Sequence, residues 1–119
     1  MSTFRFENIE VWKFGIEVTI KLLDIAEFLD TKRLYSFSNQ LRDASLSITN
    51  NIAEGSGSFS EKEFTVFLNY SRRSVFECAN IIFVLSFKNY ISEEMKSQRL
   101  KELDLLSRRI TTFRRSLQK

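Results

Sequence analysis

The stretch SITNNIAEGSGSFSEKEF, Ser47–Phe64, holds two of the three glycines of a 119-residue chain that has no proline. Apolar side chains lead into it at helical spacing: Phe37, Leu41, Ala44, Ile48 and Ile52 recur at steps of three and four. Gly55 then suits the left-handed position that ends a helix. Ser60 and Glu63 form a Ser-x-x-Glu capping box at the start of the next one. Phe59 and Phe64 occupy the two positions of a hydrophobic staple. The stretch therefore reads as stop, corner and start. A P-loop is excluded, because GSGS follows a helix rather than a strand and lacks the Lys-Ser/Thr pair.

Three more helices extend the pattern. The first is expected over about Ile9–Leu29, with Val11, Val18, Leu22, Ile25 and Leu29 as one stripe and Trp12, Ile16, Ile20 and Leu23 as a second beside it. The second, over about Ser36–Glu54, runs into the corner. The third spans about Glu61–Lys88, and its segment IIFVLSF, Ile81–Phe87, is apolar all round. A helix apolar all round is buried on every side. A four-helix monomer leaves one side of each helix in water, so this segment predicts self-association. The fourth runs from Ser92, an N-cap followed by Glu93 and Glu94, to about Leu117, with a seam of Leu103, Leu106, Ile110, Phe113 and Leu117. No segment alternates as a strand does. Short connections make neighbours antiparallel, so the predicted fold is all-α: one domain over residues 1–119, an up-down-up-down antiparallel four-helix bundle.

Composition narrows function. There is no histidine and one cysteine, Cys78. Zinc fingers, Cys-His nucleophiles and carboxylate-histidine di-metal sites are thereby excluded. No cofactor or catalytic residue is expected, and the protein reads as a non-enzyme. A lone thiol, the absence of a signal-peptide core and the absence of a membrane-length apolar run point to a cytoplasmic protein without membrane contact. The net charge of +3 is uneven. Residues 96–119 carry eight Lys/Arg against two Asp/Glu. Lys101, Arg108 and Arg115, seven apart, share a helix face, with Arg109, Arg114 and Lys119 nearby. These six residues are the candidate polyanion site, contacting RNA or DNA backbone. A solvated helix face is the structural alternative. Tyr70, Arg72 and Arg73 on the third helix are placed to extend a basic rim in an oligomer. Arg42 and Glu77 fall at similar distances from the corner and are expected to form an ion pair that fixes helix register.

FENIEVWK (Phe6–Lys13), QLRDASLSITNNIAEGSG (Gln40–Gly57) and the Ser74-x-x-Glu77 spacing resemble the ribosomal-RNA intervening-sequence protein family, over nearly the whole chain. Asn51–Gly55, NIAEG, is the most specific element. Trp12, Arg42, Asn51, Glu54, Gly55 and Glu77 are the family-motif positions, expected to be structural. The chain departs from the family at Asp43, where a second Arg is usual, and at Thr49, where a Pro is usual. The resemblance implies a four-helix bundle assembled as a homopentamer and implies no activity. Two functions follow: an oligomeric bundle binding RNA through basic patches on helix 4, or a scaffold or accessory subunit for a partner enzyme.

Overall fold

The computed structural model describes residues 3–118. A single 3₁₀ turn, Arg5–Asn8, leads into four helices: α1 (Glu10–Thr31), α2 (Tyr35–Ser56), α3 (Glu61–Phe87) and α4 (Glu93–Ser116). There is no strand among the described residues. Each helix packs on the next and α1 also meets α4, which gives a closed cyclic order. The connections span three, four and five residues. They are too short for any arrangement but antiparallel neighbours. The helices follow the expected spans to within two residues, and the particle measures 45 × 25 × 22 Å.

The core is a single cluster. Val18, Leu22, Ala26 and Leu29 from α1 meet Leu41, Ile48 and Ile52 from α2. Leu68, Cys78, Ile82 and Leu85 from α3 and Leu103, Leu106 and Ile110 from α4 complete it. The second stripe of α1 is different. Trp12, Ile16 and Leu23 are half-buried and Ile20 is exposed. The all-round segment also divides: Ile81, Ile82 and Leu85 enter the core, while Phe83, Val84 and Phe87 face out.

Two turns use left-handed residues that are not glycine, Arg33 and Asn89. After α1, the N–H of Leu34 donates to the Leu29 carbonyl and that of Arg33 to Asp30. After α3, Tyr90 donates to Leu85 and Asn89 to Ser86. Both are Schellman closures, with an apolar contact position after the turn. The α2–α3 corner is built otherwise, and two expectations for it are corrected. Gly55 does not end the helix: α2 runs on to Ser56, and the C-cap Gly57 has φ −86°. Gly55 is buried instead, where a Cβ would stand 2.6 Å from Phe67 Cβ and 2.7 Å from Phe64 Cδ1. It is glycine because α3 lies against it. The staple is also absent, since Phe59 is fully exposed. Phe64 is committed elsewhere: its ring meets Phe113 edge-on at 5.6 Å and lies under the Arg5 guanidinium at 5.0 Å. The Ser60 cap is present, accepting the Glu63 N–H at 3.1 Å.

Candidate functional site

The α2 sequence presents two polar edges, one to each neighbour. Ser38, Arg42 and Ser45, spaced by four and three, face α1. Ser47, Asn51 and Gly55, spaced by four, face α3. On the α1 side, Asp30 near the end of α1 accepts from Ser38 Oγ and from Arg42 Nη2, the latter at 2.6 Å. Arg42 Nη1 also donates to Asn39 Oδ1 at 2.9 Å. The expected Arg42–Glu77 pair is therefore corrected to Arg42–Asp30. The two residues were at matching levels along the helices, but Arg42 lies on the α1 side of α2 and Glu77 on α3. Asp30 is brought into reach because a three-residue turn folds α2 straight back on α1. Its carboxyl is held below the usual carboxylate range, first by the Ser38 hydrogen bond and then by Arg42, against partial desolvation.

On the α3 side lies a polar groove lined by Ser47, Asn51, Tyr70, Arg73, Ser74 and Glu77. Asn51 Nδ2 donates to the Ser47 carbonyl at 2.8 Å and to Ser47 Oγ at 3.0 Å. Ser47 Oγ and Ser74 Oγ share a hydrogen at 2.8 Å, and Ser74 Oγ also donates to the Tyr70 carbonyl. Below them Ser71 Oγ donates to the Ile48 carbonyl at 2.7 Å, fully buried. Asn51 thus ties adjacent turns of α2, and Ser47 carries the link across to α3. Glu77 and Arg73 stand exposed on the rim and join no ion pair among the described residues. Glu54 is exposed at the end of α2. Trp12 packs on Phe6, ring centroids 4.9 Å apart. Beside the groove, burial pushes the Cys78 thiol up to about 12, with the Glu77 charge a smaller cause. That thiol stays protonated and unreactive at neutral pH.

The basic residues of α4 divide into two sets. Arg109 and Arg114 turn back on the body. The Arg109 guanidinium lies 4.5 Å from the centre of the Phe14 ring, and Arg114 Nε donates to the Thr65 carbonyl at 3.2 Å. Lys101, Arg108 and Arg115 lie exposed on the outer face. Arg108 meets Asp104 at 3.0 Å in a pair open to water on both sides. Such a pair is worth little, about 0–1 kcal/mol, and is readily exchanged for another anion. Lys101 and Arg115 join no ion pair among the described residues. Lys119 lies outside the described residues. Sequence periodicity placed the outer face correctly. It gave no sign that Arg109 and Arg114 are occupied by Phe14 and Thr65, which are distant in sequence.

The molecule is thus a small all-α protein of four antiparallel helices, with a polar α2–α3 seam and a basic outer edge on α4. No helix of the described residues is long and apolar enough to cross a membrane. The sequence model of the 23S rRNA-intervening sequence protein family matches residues 7–112, and the chain belongs to that family. The fold is shared with a crystal structure of a protein of unknown function from the S23 ribosomal protein family of Bacteroides thetaiotaomicron. The TM-score is 0.83 at 19% identity, covering 87% of this chain and 97% of that one. No curated protein matches the chain.

Proposed function

We propose that the protein acts in the cytoplasm, without catalysis or cofactor, as a homo-oligomer of pentameric type that binds RNA through the outer face of α4. The observation that carries this reading is the row of Lys101, Arg108 and Arg115, exposed on a helix whose apolar seam is spent inward. The family name, which refers to ribosomal RNA, points the same way. Phosphate contact needs mobile cations in water. These three supply it, whereas Arg114 is tied to the Thr65 carbonyl and Arg109, though exposed, rests on the Phe14 ring. Repetition of the row around an oligomer multiplies a weak patch through effective concentration. Binding is expected to be electrostatic, with no stacking platform and little sequence preference.

The test is single-stranded RNA binding as a function of salt. The log–log slope is expected to be about −0.7 per phosphate contacted. Replacing Arg108 and Arg115 by Glu should weaken binding by about tenfold or more at ~0.1 M salt, with helicity unchanged. Wild-type protein that fails to bind RNA even at low salt overturns this reading. A second reading, a scaffold for a partner protein, is favoured by the groove between α1 and α4. Ile25, Phe28, Tyr90, Ile91 and Met95 line a space of about 420 Å³ there. Docking into it would persist at salt concentrations that abolish phosphate contacts.

A further inference from the structure

Two of the apolar faces that the bundle leaves differ in charge. The first follows α3. Phe76, Phe83 and Phe87, spaced by seven and four, are exposed by 55%, 40% and 74%. Phe76 and Phe83 border a groove against α4 of about 260 Å³, floored by Val75, Ala79 and Leu103. Cations rim it. The Arg72 guanidinium lies 4.7 Å from the centre of the Phe76 ring, and Lys96 Nζ lies 5.3 Å from that of Phe83 and 5.8 Å from that of Phe87. Asp104 also lines this groove and pairs with Arg108, and Lys96 pairs with Glu93 at 3.6 Å, which leaves Arg72 as the rim cation in no ion pair among the described residues.

The second face follows α1 and α2. Thr19 Oγ1 donates to the Ser45 carbonyl at 3.1 Å, which sets the next residues, Ile20 and Leu46, at one level. Both are exposed, by 53% and 40%. Half-buried Ile16 and Leu23 extend the face along α1. Acids surround it. Glu17 and Asp24 stand three residues before and four after Ile20, and Asp43 stands three before Leu46, so each is a surface neighbour. None of the three joins an ion pair among the described residues, whereas the cation beside them, Arg42 four before Leu46, is turned to Asp30.

We infer that these two faces bind each other between copies of the chain, the aromatic α3–α4 face of one seated on the acidic-rimmed α1–α2 face of the next. This rests on the homo-oligomer reading above and assigns its interface. An isologous contact requires one self-complementary patch. Here the charges left unpaired beside each patch are of one sign, Arg72 at the first and Glu17, Asp24 and Asp43 at the second, so each patch would repel its own copy while the two complement each other. Aromatic side chains under cations also match the composition of interface cores better than that of free surface. The contact is therefore head to tail. It gives a ring where the rotation between copies closes.

Two variants disable one face each: Phe76→Lys with Phe83→Lys, and Ile20→Lys with Leu46→Lys. All four sites are exposed, so helicity should be retained; serine replacements serve for either variant if it is lost. Alone, each variant should run at the 14.0 kDa chain mass in light scattering. Mixed in equal amounts, they should form a particle of about twice that mass and no larger, because each retains the face the other lacks. Monomeric variants that do not combine on mixing overturn the head-to-tail assignment. Variants that keep the wild-type size overturn the assigned faces while leaving the oligomer reading intact. A wild-type protein that is itself a 14.0 kDa particle overturns both.

Discussion

α2 and α4 have nearly the same length, 22 and 24 residues, and are held in place in opposite ways. α2 buries nine residues, of which six are glycine, alanine, serine or threonine; α4 buries four, and three of those are leucine or isoleucine. α2 begins without a side-chain cap at Leu34, whereas α4 begins at Ser92, whose Oγ accepts the Met95 N–H at 3.1 Å. Acids in the first turn of α4 and arginines in its last complement the helix dipole. The difference teaches that α2 is made helical by its neighbours and α4 largely by itself. Small side chains let α2 approach α1 and α3 until the Thr19 and Ser71 hydroxyls of those neighbours reach its backbone carbonyls. α4 touches the body through a few large residues and leaves grooves on both flanks.

The comparison is breakable. Leu106→Ala removes a fully buried side chain from the sparse α4 seam and should cost about 2–5 kcal/mol in chemical denaturation. If the loss is under about 1 kcal/mol, α4 does not depend on those few residues. Gly55→Ala tests the other side. Its Cβ would meet Phe64 and Phe67 inside ordinary contact distance. Overpacking of that kind should cost about 1–3 kcal/mol, where an alanine in an open helix position would stabilise. A neutral or stabilising Gly55→Ala means the α2–α3 approach is looser than drawn here. Ser92→Ala should cost about 1 kcal/mol by loss of the cap. An unchanged melting temperature there would mean that α4 is, like α2, held by packing alone.

Acid titration sharpens the account of the α1–α2 edge. The Asp30 carboxyl titrates below its ordinary value when folded. The stability it contributes is present above the unfolded value and is lost as pH falls through the folded one. Asp30→Asn should therefore be less stable than wild type at neutral pH and should lose less on acidification below about pH 4. Denaturant midpoints measured from neutral pH down to about 2 would show the two curves converging. Parallel curves would mean the Ser38–Asp30–Arg42 cluster contributes nothing to folding.

Helix number, order and spans were legible in the sequence because the apolar period is strong and capping residues mark α3 and α4. What escaped was pairwise. Arg42 was assigned a partner on α3 by level alone. Level along a helix is readable from the corner, but the side it faces depends on a few tens of degrees of rotation, which Asp30 and Ser38 reveal only in three dimensions. Gly55 carried a turn signal, and the close approach of Phe64 and Phe67 that it serves has no local signature. Phe59 fitted the staple spacing, yet Phe64 found better partners in Phe113 and Arg5, far along the chain. In the candidate site, the outer row of Lys101, Arg108 and Arg115 followed from a seven-residue spacing. The contacts of Arg109 with Phe14 and of Arg114 with Thr65 did not, because they depend on which helix packs beside them.

The three short turns carry a kinetic consequence. Helices joined by three to five residues make contacts that are local in sequence. Chains of this kind fold on the microsecond to millisecond scale. With no proline anywhere in the sequence, no peptide-bond isomerisation stands in the way of refolding. Each chain should therefore reach its folded shape long before it meets another at micromolar concentration. If the chain assembles as proposed, any refolding phase slower than about a second should quicken as protein concentration rises, since encounter between chains is the slow step that remains.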